Sequence, residues 1–159
     1  MVTQEDYVKF LSQVREVSGI KTLTPDESGL VSVRVDDSYN VNLQFVEATG
    51  NVLCFIEVVA LPHDASRTVY RDLLVGGLFG KDTAGGHFAL EPETETVIYN
   101  YTFDLQKAAE DVEDFISALE KILQLCDVWA ERIKMNLSGG DPGPVASDVP
   151  PHGHTIFRA

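Results

Sequence analysis

The sequence predicts an α+β domain, with an antiparallel five-stranded sheet packed against helices in the order α-β-β-β-α-β-β-α. Three observations carry this. Apolar residues recur at helical spacing near both ends of the chain, alternating strand-like runs fill the middle, and hairpin-length polar segments separate those runs. At 159 residues the chain has the length of one domain with a real core. Residues 1–137 are assigned to that domain and 138–159 to a Gly/Pro-rich C-terminal tail.

The first helix follows Thr3, which forms a capping-box pattern with Asp6. Tyr7, Phe10, Leu11, Val14 and Val17 make its apolar stripe, and Gly19 ends it. A turn-rich connection, Lys21 to Gly29, leads to three strands at Leu30–Val35, Val41–Val46 and Val52–Leu61. Hairpin-length turns join them, so an antiparallel meander is the simplest path. The third strand is apolar on both faces, with Val52, Cys54, Ile56 and Val58 on one and Leu53, Phe55 and Val59 on the other, so both faces call for cover.

Pro62 stops that strand, and Asp64 or Ser66 caps a second helix whose stripe is Val69, Tyr70, Leu73, Leu74 and Leu78. Gly76 and Gly77 near its end imply either fraying toward a C-cap or the close approach of another backbone, as at a two-fold axis. Gly86 to Leu90 and Thr96 to Phe103 form a second hairpin around Glu91-Pro92-Glu93-Thr94. From Asp104 one long helix holds Val112, Phe115, Ile116, Leu119, Ile122, Leu123, Cys126, Trp129, Ala130 and Ile133 on a face of about six turns. Packing across its own sheet is the expected use of that face. In the tail, Thr155-Ile156-Phe157 reads as an apolar tip that imitates a client peptide through residues 150–159; a tip without a role is the alternative.

Composition narrows function. Twelve Lys and Arg against 25 Asp and Glu give a net charge of −13, which opposes nucleic acid and anionic membrane surfaces as partners. The charge fits simple solubility and equally the holding of an aggregation-prone client. Cys54 and Cys126 lie in apolar runs with no adjacent cation, so they read as core thiols in a reducing, cytoplasmic setting. Neither a signal peptide nor an apolar run long enough for membrane insertion is expected.

No catalytic constellation emerges. Around Gly80-Lys81 the phosphate-loop pattern fails at Val75 and Asp82. Gly76-Gly77-Leu78-Phe79-Gly80 follows a helix, the wrong context for dinucleotide binding. His152 and His154 supply at most half of a tetrahedral metal site, and His63 and His87 have no nucleophile nearby. Glu110, Asp111, Glu113 and Asp114 suit a helix N-terminus. The expectation is a protein without enzymatic activity, cofactor or metal.

Leu73-Leu74 through Leu78-Phe79-Gly80, a polar loop, Gly86, and Phe88-Ala89-Leu90-Glu91-Pro92-Glu93-Thr94 together resemble the signature of the Tir chaperone (CesT) family, the class I type III secretion chaperones. The resemblance covers residues 3 to 134. Gly77 stands where the family often has Asn, and the tail lies outside the common core. The resemblance implies a homodimer joined through the second helix and a neighbouring strand. It also implies binding of an unfolded N-terminal segment of a secreted effector, kept soluble and export-competent without ATP, with secretion apparatus components as further candidate partners. The apolar stripe itself points to a dimer interface at Val69, Leu73, Leu74, Gly77 and Leu78. Excess apolar residues on the first helix and the sheet suggest that these elements, rather than polar loops, bind the partner, with Val33, Leu43 and Phe55 as candidates. A non-enzymatic adaptor or sensory module of the same fold, holding a folded partner, is the alternative.

Overall fold

The computed structural model describes residues 1–145. The expected imitation of a client by residues 150–159, and the pair His152 and His154, lie outside the described residues. Helix α1 spans Gln4–Ser18, and its capping box is formed as expected, with Asp6 N–H donating to Thr3 Oγ1 and Thr3 N–H donating to Asp6 Oδ2. These bonds hold the Asp6 carboxyl below its ordinary pKa. Val17 lies outside the buried stripe.

Strands β1 (Leu30–Val35), β2 (Tyr39–Val46) and β3 (Asn51–Ala60) form the meander. Helix α2 (Arg67–Gly76) and a 3-10 turn (Leu78–Gly80) precede the hairpin of β4 (His87–Glu91) and β5 (Thr96–Asp104). The sheet order is β1-β2-β3-β5-β4, antiparallel throughout, so the second hairpin docks through β5 and leaves β1 and β4 as edges.

The expected single C-terminal helix is two. Helix α3 (Leu105–Glu110) ends at Asp111, whose φ of −140° and ψ of 85° leave helical space, and α4 (Val112–Leu137) starts there. Asp111 accepts from Asp114 N–H at 2.9 Å and so caps α4, while Asp104 does the same for α3 through Lys107 N–H at 3.0 Å.

All helices cover one face of the sheet. Val31, Val33, Val35, Val41, Leu43, Phe45, Val52, Cys54, Ile56 and Tyr99 point into the core beneath α1, α3 and α4. Phe10 meets Phe115 edge-on at 4.9 Å, Phe115 meets Phe103 at 4.8 Å, and Tyr7 stacks on Phe45 at 5.6 Å. Tyr7 also donates its hydroxyl to the Leu43 carbonyl at 3.2 Å. The opposite face carries Leu53, Phe55 and Ile98, all half-buried, and no helix lies over it among the described residues. The cover expected on both faces of β3 is therefore present on one.

Among the described residues, no helix is long and apolar enough to cross a membrane. Burial pushes the Cys54 thiol up to about 12 and raises Cys126 well above its ordinary value. Because these folded thiols titrate above the unfolded ones, their contribution to stability is complete below about pH 8.5 and declines as pH rises through that point toward 12. At pH 8 iodoacetamide should leave both cysteines of the native chain unmodified and alkylate both in denaturant, as read by mass spectrometry. Rapid alkylation of the native chain would contradict their burial.

Candidate partner-binding surfaces

Two apolar surfaces remain after the core is filled. The first is built on α2 and the turn that follows it. A ten-residue helix whose stripe spans Val69 to Leu78 has more apolar circumference than one contact can use, and the structure divides it. Val69 packs inward with Leu61, Val97 and Ile133, while Leu73 is half-buried between that cluster and the surface. Val69 is thus a core residue, a correction to its expected place in a dimer interface. Leu74 is 78% exposed, Leu78 60% and Phe79 95%. Gly77 is half-buried as the residue that ends α2, and its N–H donates to the Leu73 carbonyl at 3.1 Å.

The tightest contact beneath α2 is at Gly76. A Cβ there would overlap the ring of Trp129, which lies fully buried on α4. That is the reason for Gly76, while Gly77 is the C-cap of α2. Trp129 in turn donates Nε1–H to the Asp82 carbonyl at 3.0 Å and packs against Phe88 at 4.9 Å. Tyr99 donates its hydroxyl to the Thr83 carbonyl at 2.7 Å, and Thr83 donates to the Gly86 carbonyl at 2.6 Å. Gly86 is held against Tyr99 and the Asn100 carbonyl so closely that no Cβ fits. The loop 81–86 is therefore pinned at both ends, and it fixes the preceding turn. In that turn Phe79 adopts φ 58° and ψ 13°, a left-handed conformation that costs a bulky residue energy.

On α2's other flank, Asp72 receives Arg132 Nε–H at 2.6 Å and Nη2–H at 2.7 Å, and Asn136 Nδ2–H at 2.9 Å. The Arg132 guanidinium also sits 5.5 Å from the Trp129 ring centre and donates to the Gly143 carbonyl. Between α2 and β4 runs an apolar groove of about 150 Å³, lined by Tyr70, Leu73, Leu74, Phe88 and Leu90.

The second surface is the open face of the sheet. Cross-strand rows place Ser32, Asn42, Phe55 and Asn100 side by side, with Leu53 and Ile98 in the flanking rows. Asn42 accepts from Ser32 Oγ–H at 2.6 Å and donates to the Phe55 carbonyl at 3.3 Å. Phe55 lies half-buried on this open face. Val33 and Leu43, at 7% and 2% exposure, face the helices instead, a correction to their expected place in a partner-binding surface. Leu53 and Ile98 lie half-buried on the same face as Phe55.

Neither surface assembles acid–base or nucleophilic chemistry, and among the described residues no cluster of His, Cys, Asp or Glu could hold a metal ion. A model of the Tir chaperone protein (CesT) family matches residues 9–130. The chain belongs to that family.

The CesT match takes in both surfaces and ends within α4, so the 131–159 segment follows the shared region. No curated protein matches the sequence significantly. Among solved structures, the fold is similar to that of the ExsC–ExsE complex, with a TM-score of 0.71 at 19% identity over 84% of this chain and 97% of that one. It is similar to the HopA1–SchA chaperone–effector complex at TM-score 0.63 and 17% identity, over 82% and 99% of the two chains. It also resembles the heterodimeric ExoU–SpcU complex from the type III secretion system of Pseudomonas aeruginosa at TM-score 0.55 and 14% identity, over 83% and 98%. At such identities the likeness is one of fold.

Within the CesT segment, the residues missed by periodicity are Phe79 and Val75, both exposed, and Leu90 at the groove's rim. Their signal was the Leu-Phe-Gly motif itself, in which an exposed Phe is held in strained geometry. Gly76→Ala should lower the melting temperature, with a cost of about 1–3 kcal/mol for displacing the Trp129 ring. An unchanged melting curve would show that the ring yields freely.

Proposed function

We propose that this protein is a type III secretion chaperone that binds an unfolded N-terminal segment of a secreted effector and keeps it soluble and ready for export. Family membership supplies the class. The observation that carries the binding mode is the sheet itself, with Leu53, Phe55 and Ile98 uncovered on one face and β1 and β4 free as edges. An extended segment can take main-chain hydrogen bonds along an edge and lay alternate side chains on the apolar patch. Such recognition depends little on sequence, as a chaperone of unfolded segments requires. The acidic surface, at net −13, keeps the loaded complex soluble. The reading is one of binding in the cytoplasm, with no catalytic step.

The working unit is a homodimer joined through the outer side of α2 and the turn after it. Leu74, Val75, Leu78 and Phe79 stand exposed together on consecutive segments, an apolar patch that a monomer would leave in water. The strain at Phe79 supports this, because a bulky residue held in left-handed geometry with its ring in solvent gains nothing unless the ring has a partner.

Two measurements test these statements. Leu78→Asp should halve the mass seen by light scattering at micromolar concentration without changing circular dichroism, since one substitution places two carboxylates at a symmetric contact. A wild-type chain that is strictly monomeric would remove the dimer. Separately, Phe55→Glu should weaken binding of an effector's N-terminal segment tenfold or more in calorimetry while leaving the fold intact. Unchanged affinity would move the effector off the open face.

A further inference from the structure

Strand β4 is too short to shield the whole of its neighbour. It pairs with β5 from Thr96 to Asn100, and β5 runs on to Asp104 with no strand beside residues 101–104 on that side among the described residues. The ladder on the other side fixes where the backbone groups of this stretch point. Leu105 N–H donates to the Gly50 carbonyl at 3.3 Å, and in an antiparallel pair the bonded residues alternate. Phe103 and Tyr101 therefore turn their N–H and C=O toward β3, while the exposed Thr102 turns both away from it. A free donor and acceptor on a strand edge are a template for another extended chain.

This edge opens on a groove of about 310 Å³ between β5 and the first turns of α3 and α4. Its floor is aromatic. Tyr101 and Phe103, both half-buried, meet at 4.7 Å, and Phe103 meets the buried Phe115 at 4.8 Å. Three carboxylates line it, from Asp104, Asp111 and Asp114, against the single cation of Lys107. Asp104 and Asp111 each accept one helix-capping bond through Oδ1, and a carboxylate has capacity for several more. The groove is separate from both surfaces described above. Val69 of α2 meets β5 at Val97, toward the other end of the strand, and Tyr101 and Phe103 pair with Cys54 and Val52 on the helix-covered face, opposite Phe55.

We propose that this groove docks an extended, cationic segment of a second protein partner, distinct from the effector. The segment adds as a short strand along residues 101–104 and lays an arginine or lysine over Tyr101 and Phe103, with its charge among the three aspartates. Complementarity selects this occupant. The methylenes of a long cationic side chain cover the rings while its head reaches the carboxylates, and a purely apolar segment would desolvate those carboxylates without replacing their water. A second copy of this chain, at net −13, is opposed by the same charge. Because the open face is left untouched, the segment can bind while an effector is held, a statement that rests on the effector reading above.

The test titrates the full 15N-labelled chain with an acetylated hexapeptide alternating arginine and valine, and with the same peptide carrying glutamate for arginine. Amide shifts should be confined to residues 100–118, and the glutamate peptide should bind at least tenfold more weakly. Thr102→Pro removes the edge N–H at a position where a strand tolerates proline and should abolish binding. Asp114→Lys leaves both capping carboxylates in place and should weaken binding about three- to fivefold. Shifts elsewhere, equal binding of the two peptides, or unchanged affinity in Asp114→Lys overturns the proposal. A saturating N-terminal effector segment should leave the peptide's affinity unaltered; displacement of the peptide would assign the groove to the effector and overturn the second partner. If the effector segment does not bind at all, the effector reading fails while the peptide titration still decides the groove.

Discussion

The buried indole of Trp129 is the fixed point of the α2 side of this molecule. Its ring touches Gly76, which sets how closely α2 can lie on α4. Its Nε1–H holds the Asp82 carbonyl, which fixes the loop after the 3-10 turn. Its faces meet Phe88 of β4 and the guanidinium of Arg132. Helix, loop and edge strand are each positioned by one side chain. Because an indole has a single donor and a rigid plane, these contacts stand or fall together. The exposed residues Leu74, Leu78 and Phe79 owe their fixed positions to it, although none is needed for the core.

The sheet has the opposite character. Its covered face is closed by aromatic contacts running from Phe10 through Phe115 to Phe103 and Tyr101. Its open face is tied together by backbone pairing and by Asn42, which accepts from Ser32 and donates to the Phe55 carbonyl. A paired sheet with mixed apolar and amide side chains can accept many extended segments, which suits the chaperone role proposed above. Preorganisation of the platform lowers the entropic cost of binding, and the ordering of the ligand keeps affinity moderate.

Most of this fold was legible in the sequence, for identifiable reasons. Period-two alternation located β1 at its observed ends, and the Thr3–Asp6 pattern located the start of α1. Alternation shows which residues share a face, but it does not show which face the helices will cover. Val33 and Leu43 were therefore assignable to the partner only by guess, and they went to the core. The break at Asp111 was hidden because an unbroken run of good helix formers surrounds a residue whose cap role depends on its backbone leaving helical space. Val69 was separated from Leu74 by tertiary packing, since a stripe on a short helix does not divide itself. Nothing near Gly76 announces Trp129, which arrives from a distant helix. Phe79 was readable only through its family motif.

The contact of Phe10 with Phe115 also governs the order in which the protein can be made. Helix α1 is synthesised before the other elements of the domain, yet the surface that covers its apolar stripe belongs to α3 and α4. Until those helices are synthesised, Tyr7, Phe10 and Leu11 can shelter only against the first hairpin. Closure of the domain therefore waits for α3 and α4 to be synthesised, and contacts between its two ends carry a long loop-closure cost. Helix α3, six residues long, is too short to form alone and becomes ordered only when that closure is reached.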